Sequence, residues 1–232
     1  MSEAVIILQA RMGSKRLPGK VLAPIGARSL LGHCLARLRI GGVAPLLLAT
    51  TTHAEDDVLA ATAARYGVPV FRGPADDVLG RYVLAARSVG ARFVIRATAD
   101  NPAIDIDGPA RVLAMLRSST ADYVIEEGLP HGAAVEGVTV DALLRASRHA
   151  TDPADREHVT PLIRRERRYF SAITMPAPEP LLRRGVRLTV DTDDDLSFMR
   201  AIAARLNNWS GEPELRAILG VADAVSIGPR CA

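Results

Sequence analysis

Ten residues near the start, Arg11-Met-Gly-Ser-Lys-Arg-Leu-Pro-Gly-Lys20, bring four cations and two glycines into one short segment. Gly13 and Gly19 let backbone approach an anion closely, while Arg11, Lys15, Arg16 and Lys20 supply the charge. Such a segment suits phosphate groups. It carries neither the G-x-x-x-x-G-K-[ST] pattern of a Walker loop nor G-x-G-x-x-G. Of 29 basic residues only two are lysine, and both, Lys15 and Lys20, fall here. A chain that otherwise writes arginine keeps lysine where a compact ammonium serves better than a planar guanidinium.

Two carboxylates could complete the chemistry. In Arg96-Ala-Thr-Ala-Asp-Asn-Pro102, Asp100 leaves a strand into a proline-stiffened turn, a good place to hold Mg²⁺ against phosphate oxygens. In Arg187-Leu-Thr-Val-Asp-Thr-Asp-Asp-Asp-Leu196 there are four aspartates, which separate into two roles. Thr192 and Asp195 have near capping-box spacing, and Asp193–Asp195 suit the first turn of a helix. Asp191 ends a strand instead, so it is assigned to metal. No Ser–His–Asp or Cys–His grouping stands out, and phosphoryl-type transfer needs none. His158 could assist a proton transfer, whereas His33, His53, His131 and His149 read as structural or surface residues.

The elements that must position these groups follow from periodicity. Residues 4–9 form a short continuous apolar run, the mark of a buried parallel strand. Ser29 can cap a helix through Leu30, Leu31, Leu35 and Leu38. Strands at 45–50, 68–71 and 93–96 then alternate with helices at 56–66, 78–89 and 111–117, closed in part by Gly67 and Gly90. That alternation predicts a mostly parallel sheet with helices on both faces. In such a sheet ligands bind outside the carboxyl ends of the strands, where the 11–20 segment emerges. Later the alternation weakens. Strands are expected at 123–125, 135–140, 170–175 and 186–190, and helices at 141–149, 160–168 and 198–206. The chain reads as one domain over 1–232, with 121–180 added for acceptor contact or dimerisation.

Composition narrows the classes. At 232 residues, 48% hydrophobic and 24% charged, the chain can build one sizeable core. No apolar run approaches a membrane span, and the opening residues do not form a secretory signal, so a cytoplasmic protein is expected. The net charge is +3 but only 4% of residues are aromatic, which argues against a nucleic-acid surface. Arg164, Arg165, Arg167 and Arg168 suit the solvated face of a helix. Cys34 reads as a small core residue and Cys231 as incidental.

These runs resemble a family. ILQARMGSKRLPGKVL, DDVLGRYVLAA around Asp77–Ala86, the turn Thr98–Pro102, REHVTP at 156–161 and RLTVDTDDDL are similar, in order, to the cytidylyltransferases related to spore coat polysaccharide biosynthesis protein F. More distantly they resemble enzymes that activate acidic sugars as CMP conjugates. The resemblance implies an α/β, Rossmann-like nucleotidyltransferase fold, a GT-A-like three-layer sandwich with a mostly parallel sheet. It implies Mg²⁺-dependent transfer of CMP from CTP to a small acidic acceptor, with release of pyrophosphate. By position, Arg11 and Lys20 would hold the triphosphate, with Gly13, Ser14 and Lys15 beside them. Thr50, Thr51, Arg72 and Asp76 would serve the nucleoside, Glu136, Glu157 and His158 the acceptor, and Asp100 and Asp191 the metal. A homodimer formed through 121–180 is also implied.

Two positions depart from the family pattern. Ala99 stands where glycine usually precedes the metal-binding aspartate, and Asn101 where cysteine or glutamate is familiar. A positive φ at Ala99 would strain that turn. Two other readings fit parts of the sequence: a glycosyltransferase of similar fold, and a catalytically silent nucleotide-binding module. The density of cations in the first loop favours a triphosphate over a sugar diphosphate, and the Asp100–Asp191 pair favours an active enzyme.

Overall fold

A computed structural model describes residues 3–14 and 16–225. Lys15 and Cys231 lie outside the described residues. Strand β1 (Ala4–Gln9) is apolar on both faces because parallel neighbours flank it and helices cover it above and below. Val5 and Ile7 enter one core, and Ile6 and Leu8 the other.

From β1 the cationic loop leads to a small ribbon of β2 (Pro24–Ile25) and β3 (Arg28–Ser29), then to α1 (Leu30–Ile40). Ser29 caps α1 as expected, accepting the Gly32 N–H at 3.2 Å. There follow β4 (Leu46–Thr51), α2 (Asp57–Arg65), β5 (Val70–Gly73), α3 (Val78–Ser88), β6 (Phe93–Thr98) and α4 (Gly108–Ser118). Gly67 and Gly90 take positive φ just past α2 and α3, where a side chain would be strained. The second half supplies β7 (Tyr123–Glu127), β8 (Glu136–Thr139), α5 (Val140–His149), α6 (Pro153–His158), α7 (Pro161–Arg165), β9 (Ala172–Pro176), α8 (Asp193–Arg205) and α9 (Leu215–Ala224).

Seven strands form one sheet in the order β5-β4-β1-β6-β8-β7-β9. Only β8 runs against its neighbours, antiparallel to both β6 and β7. The residues 121–180 therefore continue the main sheet through three strands. One core lies under α1, α2, α4, α8 and α9, and the other under α3, α5 and α7. This is the three-layer, mostly parallel α/β sandwich expected from the alternation.

Two expected elements differ. Residues 186–190 form no strand of the sheet. Their bonds go to loops: His131 N–H to Val186 O at 2.9 Å, Leu188 N–H to His131 O at 2.8 Å, and Val190 N–H to Asp100 O at 2.8 Å. The expected helix at 160–168 is shorter and is preceded by α6, whose start Asp152-Pro153 pairs a cap with a proline at the first position. Val159 separates α6 from α7 with φ 74° and ψ −55°, the strained form of a γ-turn. The Thr160 N–H closes that turn onto His158 O at 2.9 Å. Helix α9, apolar at Leu215, Ile218, Leu219 and Ala222, was not anticipated.

Candidate active site

The carboxyl ends of β1 and β6 open into a cavity of about 1170 Å³. The loop after β1 is held at its root by Asp56. This buried carboxylate accepts the Met12 N–H at 2.7 Å, the Thr51 N–H at 3.2 Å and the Thr51 hydroxyl. Burial alone would raise its pKa, but the Thr51 hydroxyl and the Met12 N–H outweigh it and hold the carboxyl below the usual range. At the far end of the loop Gly19 has φ 71°, a left-handed conformation that turns the chain so that Lys20 points inward.

Lys20 is 9% exposed and sits between the two aspartates. Its ammonium donates to Asp191 Oδ1 at 2.8 Å and to the Val190 carbonyl at 2.6 Å, and it lies 3.5 Å from Asp100 Oδ2. Arg16 reaches the same Asp191 Oδ1 at 3.0 Å, and Arg187 donates to Asp191 Oδ2 at 2.6 Å. Burial would raise the Asp191 pKa. The hydrogen bond and charge of Lys20, then Arg16 and Arg187, bring it below the usual carboxylate range.

Asp100 and Asp191 come from turns that brace each other. The Asp100 carbonyl accepts the Val190 N–H, and the Thr189 hydroxyl at 3.3 Å. This stitching replaces the expected strand at 186–190, so Asp191 ends an extended segment and not a sheet strand. The Thr98 hydroxyl donates to Asp100 Oδ1 at 2.6 Å and accepts from Asn101 Nδ2 at 2.8 Å. Among the described residues the non-glycine positive φ values belong to Val159, Asn207, Asn208 and Trp209, so Ala99 is unstrained. Cys34 lies behind the turn, buried, with its thiol toward the Asn101 carbonyl at 3.3 Å. The separation of Asp191 from the helix cap is as expected: Thr192 and Asp195 form a full capping box at α8. The two are nevertheless linked, because Asp195 Oδ2 accepts the Asp191 N–H at 2.8 Å and Arg187 Nε donates to Asp195 Oδ1 at 2.9 Å.

The opposite wall comes from β6, β8, α6 and α7. Arg11 pairs with Glu157 at 2.7 Å, and exposed His158 lines the same space. Glu136 was expected to meet an acceptor, yet its carboxylate is already engaged within the protein. It takes donors from Arg96, from the Tyr123 hydroxyl at 2.5 Å and from the Thr160 hydroxyl at 2.9 Å. Burial pushes its pKa up, but Arg96 and these two hydroxyls reverse that and hold it low. Arg96 also lies over the Tyr82 ring, 5.8 Å from its centre.

Arg11, Ser14, Lys20, Asp76, Asp100 and Asp191 line the cavity, as do Glu136, Glu157 and His158. Gly13, Thr50, Thr51 and Arg72 lie outside its lining. Arg72 donates from Nε to the Thr51 carbonyl at 2.8 Å and from Nη2 to the His53 carbonyl at 2.7 Å, and it pairs with Asp57. It thus ties the ends of β4 and β5 together. The cavity is also lined by Arg96 and Thr98, read only as parts of motifs, by Arg164, read as the solvated face of a helix, and by His131. His131 was set aside as structural or surface, but its Nδ1 lies 3.2 Å from Arg187 Nη1. Arg96 and Arg187 open two of the quoted motifs, but nothing local gave either of the two a role among 27 arginines. His33 is buried, with Nε2 on the Ile25 carbonyl at 2.7 Å, and burial lowers its pKa to about 4, which fits a structural role. Among the described residues no helix is long and apolar enough to cross a membrane.

A mostly parallel sheet, a cationic loop after β1 and two aspartates at turns beside it place the site outside the carboxyl ends of the strands, as in nucleotide-binding α/β folds. The family model for cytidylyltransferases matches residues 5–212. Spore coat polysaccharide biosynthesis protein SpsF of Bacillus subtilis is 35% identical over 211 residues, 87% of each chain. The 3-deoxy-manno-octulosonate cytidylyltransferase of Anaeromyxobacter dehalogenans is 26% identical over 227 residues, 94% of this chain and 86% of that one. The solved structure of a cytidylyltransferase from Leptospira borgpetersenii matches with a TM-score of 0.90 at 26% identity, covering 100% of this chain and 99% of that chain. The chain belongs to the cytidylyltransferase family.

Proposed function

We propose that the enzyme transfers CMP from CTP to a small acidic acceptor, releasing pyrophosphate, with Mg²⁺ as its cofactor. The acceptor class is a nonulosonic-type sugar acid or another carboxylate or phosphonate metabolite. The observation that carries this reading is the Lys20 ammonium held between Asp100 and Asp191 at the mouth of the cationic loop. Two relatives support it: one is named for polysaccharide biosynthesis and the other for cytidylyl transfer to a sugar acid.

The donor set fits a small hard cation. Asp100 and Asp191 each turn one oxygen toward a single position that a positive charge, the ammonium, already favours. Among the described residues no group of three or more His, Cys, Asp or Glu could hold an ion. Two carboxylates completed by substrate phosphates are the usual arrangement for Mg²⁺. When bound there, the ion would neutralise phosphate charge and align the attacking and leaving oxygens.

The chain's own residues do the rest. Arg11, Arg16 and Lys20 grip the triphosphate and offset the charge that builds on pyrophosphate as the α-phosphorus bond to it breaks. Asp56 fixes the root of that loop, and Arg72 with Thr51 shapes the nucleoside end, where Asp76 meets the cavity. Glu157 and His158 face the acceptor, with Glu136 holding Arg96 in place behind them. An acceptor attacking through an ionised oxygen needs no base, and His158 is placed to take a proton from a hydroxyl.

A pyrophosphate-release assay with each of the four nucleoside triphosphates, Mg²⁺ and a panel of acidic acceptors tests the reading. Release with CTP alone is the expected result. Nucleotide binding without pyrophosphate release across the panel would return the silent-module reading.

A further inference from the structure

Neither aspartate at the centre of the site has both oxygens open. Asp100 Oδ1 is taken by the Thr98 hydroxyl at 2.6 Å, which leaves Oδ2 facing Lys20. Asp191 Oδ2 is taken by Arg187 Nη2 at 2.6 Å, which leaves Oδ1 facing Lys20 and Arg16. The tying groups are fixed in place. Thr98 ends β6, and its hydroxyl is itself held by Asn101. Arg187 is anchored through Nε to Asp195, the cap of α8, and through Nη1 to His131. The groups on the open oxygens are instead the loop cations, which a triphosphate would draw away.

We propose that Thr98 and Arg187 set the metal preference of the site by tying off one oxygen of each aspartate, favouring an ion such as Mg²⁺ over Ca²⁺. This rests on the metal-dependent reading above. Ca²⁺ takes six to eight oxygens and readily uses both oxygens of a carboxylate, whereas Mg²⁺ holds about 2.0–2.1 Å octahedral contacts and needs one oxygen from each. An aspartate with one oxygen held by a guanidinium or hydroxyl is biased toward binding an ion through the other oxygen alone. The preference is thus written in the residues beside the ligands.

The test uses the whole protein with CTP and no acceptor. Bound Mn²⁺ is followed by electron paramagnetic resonance while Mg²⁺ or Ca²⁺ displaces it, with CTP alone as the control. In the wild type Mg²⁺ should displace Mn²⁺ at lower concentration than Ca²⁺. Arg187→Gln should shift the Ca²⁺-to-Mg²⁺ displacement ratio toward Ca²⁺ by about tenfold or more, Thr98→Val should shift it the same way, and Arg187→Lys should restore much of the preference. Should Arg187→Gln fail to fold, Thr98→Val decides alone. Variants that bind Mn²⁺ with an unchanged ratio overturn the inference and leave the proposed activity standing. A wild type that binds no Mn²⁺ with CTP overturns both.

Discussion

The ammonium of Lys20 lies 2.8 Å from Asp191 Oδ1, although 171 residues of chain separate them. One comes from the loop after the first strand and the other from a turn before α8, so their meeting requires the finished fold. The pair joins the cationic loop to the turns that carry the two carboxylates.

Replacing Lys20 by Ala removes a compact cation from a nearly buried position and leaves two carboxylates without it. Loss of one such electrostatic group costs on the order of 100-fold or more in turnover. Lys20→Arg should restore little, because a planar fork does not fit where an ammonium makes two short hydrogen bonds and a third contact at 3.5 Å. Pyrophosphate release measures both; full turnover in Lys20→Ala would remove Lys20 from the mechanism.

Asp191→Asn should abolish Mg²⁺-dependent activity while the protein stays folded. Asp194→Asn, in the exposed first turn of α8, should lose less than about 1 kcal/mol of stability and keep activity. Assay and thermal melting of the two variants side by side separate ligand from cap, and equal losses of activity would show the division to be wrong.

How much of this was legible depends on how locally each feature is encoded. The first strand, the Ser29 cap and the Thr192–Asp195 box are written within four to six residues, and all three appear as read. Residues 186–190 have the apolar alternation of a strand, with Leu188 and Val190 buried. Their hydrogen-bond partners are loops 55 to 90 residues away, and nothing local distinguishes that from sheet pairing. Glu136 is legible as a chemically capable carboxylate. That Arg96, Tyr123 and Thr160 use it up follows from strand register and from the turn at Val159, neither of which the sequence displays.

The Glu136–Arg96 pair gives a pH prediction. The folded carboxyl sits below its ordinary value, so the unfolded chain binds its proton more readily. Its stabilisation is therefore complete above the unfolded value of about 4.3 and is lost as pH falls through the lower folded value. Glu136→Gln leaves a buried guanidinium unpaired, costing about 3–5 kcal/mol at neutral pH. Urea melts of wild type and variant should differ by a constant amount above about pH 5 and converge in more acidic solution. A gap that widens on acidification contradicts the assignment.

Asp56→Ala should act on the nucleotide without touching it. The change strands the buried Thr51 N–H and hydroxyl, each costing about 1–3 kcal/mol if it finds no new partner, and frees the half-buried Met12 N–H. It also releases the loop root at Met12. The KM for CTP should rise more than kcat falls, and an unchanged KM in a folded variant would show that the loop holds itself.

The reversed direction of β8 has a consequence for how the two walls of the cavity are joined. Four parallel strands, β5, β4, β1 and β6, carry the side of the cationic loop, and each needs a crossover helix to reach the next. Beyond β6 the sheet turns back, and the β7–β8 connection spans residues 128–135 without one. That connection borders the cavity through His131, Gly132 and Ala134. His131 in that connection exchanges backbone hydrogen bonds with Val186 and Leu188 and approaches Arg187, so its length is coupled to the segment that carries Asp191. The stretch of chain that shapes one edge of the cavity thus also helps to place Asp191, and neither can be altered without the other.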